Sequence, residues 1–233
     1  MGPTNAPRVK ICCISSVEEA ALAIACGASA IGLVSAMPSG PGVIGEDGIA
    51  EIAATVPPPI ATFLLTCKQD VEGIVLQQRR CRTNCMQLCD RLAAGSHHDL
   101  RSALPGVSIV QVIHVTGPES VDEAVRVADS VDAILLDSGN PSLAIKELGG
   151  TGRLHDWSLS LRIREQVRIP IFLAGGLNPG NVARVMTEVA PFGLDLCSGV
   201  RTKGKLDAEK LVEFFKAVHQ AEKGVSVSPS VTR

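Results

Sequence analysis

Two glycine-bearing segments near the end of the chain have the composition of a phosphate-binding site. The apolar run IPIFLA ends at Gly175 and Gly176, and the run FGLDLC ends at Ser198 and Gly199. None of the four carries a bulky side chain, so a phosphate can approach the backbone N–H groups closely. In a barrel of alternating strands and helices, the loops after the last two strands commonly form such a site. The chain is therefore predicted to bind a phosphorylated small molecule.

Two titratable residues follow other apolar runs and could act as a base and an acid. Cys12 ends the first run, and Asp137 follows VDAILL directly before a loop. If both runs are strands of one barrel, the two side chains project from opposite sides of its mouth. A thiol base at neutral pH needs its free pKa of about 8.5 lowered, and Lys10, on the same strand face, could supply the charge. The alternative for Cys12 is a buried thiol of the core.

Apolar runs alternate with amphipathic runs, and this order predicts the elements that position those residues. The predicted strands are Arg8–Cys13, Ala30–Val34, Ile60–Thr66, Asn84–Cys89, Val107–Val112, Asp132–Asp137, Ile169–Ala174 and Gly193–Cys197. The predicted helices are Val17–Cys26, Glu46–Thr55, Val71–Gln78, Asp99–Leu104, Ser120–Ala128, Trp157–Gln166, Pro179–Val189 and Ala208–Ala221. Helices between short strands are typical of crossover connections in a parallel sheet. Eight such units predict an α/β fold, a (β/α)8 TIM barrel in one domain. An open doubly wound sheet usually has glycines directly after its first strand, and none occur there in this chain.

Several helix starts carry capping signals. Ser16 precedes VEEA and is the predicted N-cap of the first helix, and Asp207 starts the last helix. Asn178 is predicted to cap a helix whose first residue is Pro179, since proline is favoured at that position.

The composition excludes several classes of protein. A chain of 233 residues that is 45% hydrophobic is large enough to form one domain with a large core. The barrel domain is predicted at residues 8–223, with loose tails at Met1–Pro7 and Gly224–Arg233. No apolar run approaches the ~20 residues that span a bilayer, and the start of the chain lacks a signal peptide, so a cytoplasmic protein without membrane association is expected. A net charge of −2 and 3% aromatic residues argue against a nucleic-acid partner.

The eight cysteines are predicted to be reduced thiols, because the chain is of enzyme size and has no leader. Cys81, Cys85 and Cys89 are evenly spaced, but that spacing matches neither the paired CxxC of zinc sites nor the usual iron–sulfur runs. We interpret them as small buried apolar side chains, and no metal site is predicted.

Six segments, taken together and in order, carry a resemblance to a known family: VKICCIS, LLDS, GGTG, DWSL, LAGGLNPGNV and FGLDLCSGV. The chain resembles the phosphoribosylanthranilate isomerases of tryptophan biosynthesis. The resemblance implies a single (β/α)8 barrel, an aldose–ketose isomerase without cofactor or metal, and a monomer or a homodimer. It also implies that Cys12 is the base and Asp137 the general acid. The phosphate would contact Gly175, Gly176, Ser198 and Gly199, with Gly152 nearby.

The implied chemistry is a cofactor-free Amadori rearrangement of a phosphorylated aminoaldose to an aminoketose. Asp137 would protonate the ribose ring oxygen and open the ring to a protonated Schiff base. The Cys12 thiolate would then remove the proton on C2, and the resulting enolamine would tautomerise to the ketone. The nitrogen of the substrate serves as the electron sink, so two protein groups suffice.

Four departures from the family pattern cluster at the predicted mouth of the barrel. Cys13 replaces a glycine beside the base, and QLHG of the fourth strand reads QLCD, which lacks the histidine. Gly42 aligns with an arginine that pairs with the anthranilate carboxylate, and no Lys or Arg occurs between Lys10 and Lys68. Arg201 stands in place of a glutamate. Arg201 or Arg153 is therefore the candidate cation for a substrate carboxylate, because an unpaired carboxylate in a closed site costs roughly 1–3 kcal/mol or more.

Two other functions stay open on these residues. One is a related phosphosugar isomerase or lyase with a different aglycone, because the arginine is missing. The other is a catalytically silent barrel that binds a phosphosugar.

Overall fold

The computed structural model describes residues 7–225, so most of the two predicted tails lies outside the described residues. Eight strands form a closed barrel in chain order: β1 (Arg8–Ile11), β2 (Ala30–Val34), β3 (Ala61–Thr66), β4 (Cys85–Leu88), β5 (Ser108–His114), β6 (Ala133–Asp137), β7 (Ile171–Leu173) and β8 (Gly193–Leu196). Neighbouring strands are parallel, and the ring closes where Ile11 of β1 lies opposite Leu196 of β8. The (β/α)8 barrel is confirmed.

Eight helices alternate with these strands: α1 (Val17–Ala25), α2 (Glu46–Thr55), α3 (Val71–Cys81), α4 (His97–Ala103), α5 (Glu119–Ala128), α6 (Trp157–Gln166), α7 (Val182–Glu188) and α8 (Ala208–Val225). A single 3-10 turn at Ser198–Val200 follows β8, and a short antiparallel ribbon of β9 (Arg201–Thr202) and β10 (Lys205–Leu206) precedes α8. No helix within residues 7–225 has an apolar stretch long enough to cross a membrane.

Side chains of each strand alternate between two apolar layers, as the two-residue period of a strand requires. Leu64 of β3 packs in the larger layer, between the barrel and its helices. Its neighbours Phe63 and Leu65 belong to a smaller cluster inside the barrel. By this alternation Ile11 of β1 and Leu196 of β8 pack in the outer layer. Lys10 of β1, Asp195 of β8 and Asp137, the last residue of β6, therefore point into the barrel.

Two of the three predicted caps are confirmed. The Ser16 side chain accepts a hydrogen bond from the N–H of Glu19 at the start of α1. The Asp207 carboxylate accepts from the N–H of Glu209 and of Lys210 at the start of α8. These caps satisfy N–H groups that have no partner within a helix.

The predicted start of α7 is wrong. The helix begins at Val182, after the N-cap Asn181. Asn178 and Pro179 instead form a turn, in which the Asn178 side chain accepts a hydrogen bond from Gly180 N–H (2.9 Å). An asparagine that bonds its own following backbone favours a turn over a helix.

The last helix is longer than predicted. It extends to Val225 and therefore includes Gly224, at the start of the predicted C-terminal tail.

Candidate active site

The carboxyl ends of the strands surround one open cavity of about 690 Å³. All seven residues predicted as base, acid and phosphate ligands line it: Cys12, Asp137, Gly152, Gly175, Gly176, Ser198 and Gly199. Within the described part of the chain, the charged side chains of this lining are Asp137 and Asp195, and no Lys or Arg side chain is among them.

Three loops meet closely at the end of the cavity formed by β6, β7 and β8. Gly152, Gly175 and Gly176 have φ angles of 67°, 87° and 64°, in the left-handed region that favours glycine. A Cβ atom on Gly176 would lie 3.0 Å from the carbonyl oxygen of Gly152. One on Gly199 would lie 2.1 Å from the carbonyl oxygen of Leu177. Glycine is therefore required here both for backbone conformation and for loop contact.

Cys12 is the first residue after β1 and points into the barrel. Its N–H donates to the carbonyl oxygen of Leu196 (2.7 Å), which continues the pairing of β1 with β8. Gly32 of β2 leaves room for the thiol, because a Cβ atom there would lie 2.9 Å from Cys12 Sγ. The side chain is 6% exposed and lines the cavity floor.

A buried ion pair lies directly below Cys12. Lys10 Nζ donates to Asp195 Oδ1 at 2.8 Å, and the lysine is fully buried. Burial alone would lower the pKa of Lys10, but the negative charge of Asp195 and the nearby Cys12 raise it above its ordinary value. The ion pair with Asp195 therefore favours the cationic form of the lysine beneath the thiol.

Asp137 is the last residue of β6 and is 6% exposed. Burial raises the pKa of its carboxyl group, and the negative charge of Asp195 raises it further. The hydrogen bond from Ser138 N–H and the attraction of His114 lower the pKa, but burial is the largest effect. The loop after β6 closes over the carboxyl group, since a Cβ atom on Gly149 would lie 3.0 Å from Asp137 Oδ2. A buried carboxyl group with a raised pKa is suited to donate a proton.

Cys13 and Gly42 lie in close contact with each other. Cys13 has φ 63°, a left-handed conformation that ends β1. A Cβ atom on Gly42 would lie 2.4 Å from Cys13 Cβ, so a larger residue at 42 does not fit beside this cysteine. The two departures are therefore packed against each other, which no spacing in the sequence indicates.

Arg201 does not face the cavity. Its guanidinium bonds both carboxylate oxygens of Glu19 (3.0 and 3.1 Å) and the carbonyl oxygen of Cys13 (2.5 Å). The side chain is 7% exposed. Arg201 therefore ties the loop after β8 to the loop after β1.

Arg153 does not line the cavity either. Its guanidinium pairs with Glu147, and the side chain is 56% exposed. Its carbonyl oxygen lies 2.9 Å from the position of a Cβ atom on Gly175, so the residue lies beside the loops of the predicted phosphate site.

A cation that sequence reasoning missed lies at the opposite end. Lys146, in the loop after β6, pairs through Nζ with Asp90, the second residue after β4. The carbonyl oxygen of Lys146 accepts a hydrogen bond from Ser39 Oγ (2.7 Å). Ser39 and Cys89, neighbours of this pair, line the cavity. Lys146 belongs to no motif, and its position depends on how three loops meet, so no sequence signal identified it.

No group of three or more His, Cys, Asp or Glu side chains in residues 7–225 is arranged to hold a metal ion. Cys85 and Cys89 pack inside the barrel. Burial raises the pKa of Cys85 to about 11, as is expected of an inert core thiol.

A family model described as N-(5'phosphoribosyl)anthranilate (PRA) isomerase matches residues 9–217. The N-(5'-phosphoribosyl)anthranilate isomerase 2 of Methanosarcina mazei is 35% identical over 217 residues, which are 92% of this chain and 94% of the relative. None of these similarities supports a lyase or a silent binding protein.

Two solved structures resemble the whole barrel. The phosphoribosyl anthranilate isomerase of Thermotoga maritima has a TM-score of 0.76 and 28% identity, over 92% of this chain and 99% of that one. A phosphoribosyl anthranilate isomerase in complex with reduced 1-(o-carboxyphenylamino)-1-deoxyribulose 5-phosphate has a TM-score of 0.73 and 26% identity, again over 92% and 99% of the two chains.

Proposed function

The chain belongs to the N-(5'-phosphoribosyl)anthranilate isomerase family, and we propose that Cys12 and Asp137 perform its isomerisation as base and acid. It is an isomerase of tryptophan biosynthesis, and the reaction is an Amadori rearrangement of a phosphorylated aminoaldose to an aminoketose. One observation carries the assignment of the residues. Cys12 and Asp137 line the same cavity as the glycines of the predicted phosphate site. Eight free thiols support the proposal of a cytoplasmic enzyme.

The phosphate of the substrate binds at Gly152, Gly175, Gly176, Ser198 and Gly199. Backbone N–H groups at glycine-rich turns are suited to a phosphate, because no Cβ atom holds the anion away from them. With the phosphate held at this end, the sugar ring extends towards the centre of the cavity. Its anomeric carbon and C2 then lie between the ends of β1 and β6.

Asp137 acts first and as an acid. Its raised pKa supports a protonated carboxyl group that transfers its proton to the ring oxygen. The C1–O bond breaks, the lone pair of the anilino nitrogen forms the C=N bond, and the ring opens to a protonated Schiff base. Asp137 is left as a carboxylate.

Cys12 then acts as the base. Its thiolate removes the proton on C2, and the electron pair of that C–H bond forms the C1=C2 double bond as the iminium nitrogen is neutralised. The Lys10 cation beneath Cys12 stabilises negative charge on the sulfur. Tautomerisation of the resulting enolamine gives the ketone.

Lys146 is our candidate to bind the substrate carboxylate, in preference to Arg153 and Arg201. The aglycone lies at the end of the cavity away from the phosphate, near β2 and β4. Lys146 pairs there with Asp90, whereas Arg153 lies beside the phosphate loops. Arg201 is already bonded to Glu19. We propose that Lys146 turns from Asp90 to the carboxylate when substrate binds.

Complementation tests the function. A tryptophan auxotroph that lacks this isomerase should grow on minimal medium when it carries the wild-type chain. It should fail to grow with Cys12→Ser expressed at the same level. Soluble wild-type protein that does not restore growth would refute the proposed substrate and favour a different aglycone. If Cys12→Ser converts phosphoribosylanthranilate at the wild-type rate, the proposed role of the thiol as base is refuted.

A further inference from the structure

Three thiols lie together where β1 and β8 end. Cys12 and Cys13 follow β1, and Cys197 follows β8. The Sγ atoms of Cys13 and Cys197 are 2.8 Å apart, as a thiol–thiol hydrogen bond. A disulfide bond is about 2.05 Å long, so a small movement would join the two sulfurs. Both residues are free thiols in this structure.

We propose that Cys13 and Cys197 form a site of reversible oxidation, at which hydrogen peroxide converts the two thiols to a disulfide. The site goes beyond the isomerase function and does not depend on it. The Cys197 sulfur attacks the terminal peroxide oxygen, the O–O bond breaks, and sulfenic acid forms at Cys197 with release of water. The Cys13 sulfur then displaces the sulfenic hydroxyl group, which leaves as a second water with the thiol proton. Two thiols lose two electrons and hydrogen peroxide is reduced to two waters, so the step balances.

The environment gives the two sulfurs different roles. Cys197 lines the cavity and is partly exposed, so a small oxidant from solvent reaches it. The hydrogen bond with Cys13 lowers the pKa of Cys197, and the charge of Arg201 lowers it further. Burial has the opposite effect but is outweighed. The hydrogen bonds with Cys12 and Cys197, together with burial, raise the pKa of Cys13. Cys197 is therefore the thiolate that meets the oxidant, and Cys13 resolves the sulfenic acid.

Three cysteines of the core, Cys81, Cys85 and Cys89, lack this combination. Burial raises the pKa of Cys81 to about 12 and that of Cys85 to about 11. Cys89 is 1% exposed, and burial raises its pKa as well. Thiols of this kind react slowly with peroxide, so the pair at the cavity should be oxidised before these three.

The position of the pair couples its oxidation to catalysis. Cys13 directly follows the proposed base, and Cys197 directly precedes the phosphate residue Ser198. Bond formation draws these two strand ends together by a fraction of an ångström. Displacements of about 1 Å in an active site can cost 10²-fold in rate. We therefore expect the disulfide form to be less active than the reduced form and thiol reductants to restore activity.

The test reads the covalent bond directly. Reduced full-length protein is treated with hydrogen peroxide, free thiols are blocked with N-ethylmaleimide, and unreduced digests are analysed by mass spectrometry. Cys12 and Cys13 fall in one peptide, so single variants assign the bond. The cross-link to the Cys197 peptide should form in the wild type and in Cys12→Ser, which keeps both thiols of the pair. It should be absent in Cys13→Ser and in Cys197→Ser. No cross-link in the wild type, or its loss in Cys12→Ser, would overturn the proposal.

Activity supplies the second measurement. Isomerase activity of the wild type should fall in proportion to the cross-linked fraction and return with dithiothreitol. Circular dichroism of each reduced variant checks folding, and alanine replaces serine in a variant that fails to fold. Cross-linked protein with full activity would overturn the coupling to catalysis. If the reduced wild type has no isomerase activity but still forms the cross-link on oxidation, the proposed function is refuted and the oxidation site stands.

Discussion

The two ends of the cavity are built in different ways. The proposed phosphate end is made of backbone, with Gly152, Gly175 and Gly176 in left-handed conformations. The proposed aglycone end is made of side chains from separate loops. Lys146, which pairs with Asp90, is its proposed cation. One end depends on residue type at local turns. The other depends on which distant loops meet.

This difference explains how the two ends vary. An added Cβ atom at Gly199 would lie 2.1 Å from backbone oxygen, and backbone cannot move aside as a side chain can. At the aglycone end, Cys13 and Gly42 show two substitutions that fit one another. The phosphate end therefore tolerates little change, whereas the aglycone end can be rebuilt from new residues.

The largest effect is expected at the acid between the two ends. Asp137→Asn keeps the shape of the side chain but removes the transferable proton, so kcat should fall about 10³-fold, within the 10²–10⁴ range of general acid catalysis. KM should change much less, because both ends of the cavity remain intact. Steady-state kinetics measure this split. Asp90→Asn, which removes a carboxylate at the aglycone end, is the matched control and should change KM more than kcat. A kcat within threefold of wild type in Asp137→Asn would contradict the assignment.

The phosphate end should respond next most strongly. Gly199→Ala places a Cβ atom against the carbonyl oxygen of Leu177, so the turn must shift, at a cost of about 1–3 kcal/mol in unfolding free energy. The KM should rise about 10²-fold because the shifted turn no longer fits the phosphate. Denaturant unfolding and kinetics give the two values.

Gly48→Ala is the control for that substitution. A Cβ atom at Gly48 meets nothing within 4 Å, and the residue lies within α2. Alanine there should stabilise the protein by about 0.5–1 kcal/mol. If Gly199→Ala binds substrate as the wild type does, glycine is not required at the phosphate end.

Sequence reasoning predicted the fold, and for the phosphate it chose residues that line one cavity, both for a physical reason. The β/α alternation and the glycines at strand ends are local features, and Cys12 and Asp137 are placed by the two-residue period of their strands. It missed the start of α7, because the turn at Asn178 replaces the helical start that Pro179 suggests.

Loop contacts explain what else was missed. The sequence offered Arg201 as a cation for the substrate, but its partner Glu19 lies across the closed seam of the barrel. Lys146 and Asp90 meet only because the loops after β4 and β6 fold over the same opening. Pairings between distant loops leave no periodic or spacing signal in a single sequence.

Lys146→Ala should produce the next effect, confined to the aglycone end. Loss of a charged hydrogen bond costs about 1.5 kcal/mol or more, so KM should rise at least about 10-fold, and kcat should change less. Lys146→Arg should recover most of the affinity. Arg153→Ala, at the other end of the loop, should affect the KM less than Lys146→Ala does. An unchanged KM in Lys146→Ala would remove the lysine as the carboxylate partner.

The smallest effect on the protein is expected at the ion pair by which Arg201, in the segment after β8, is held to Glu19 of α1. Glu19→Gln weakens this partly buried pair and should lower unfolding free energy at pH 7 by about 1 kcal/mol. Burial opposes ionisation of Glu19, but its hydrogen bonds with Arg201 lower its pKa. The lowered pKa of Glu19 stabilises the folded protein at pH values above the unfolded pKa of about 4.3. This stabilisation is lost as the pH falls through the pKa of the folded state. The stability difference between variant and wild type should therefore shrink below about pH 4, in denaturant unfolding at stepped pH. A difference that is equal at pH 7 and pH 3 would show that the pair does not act through charge.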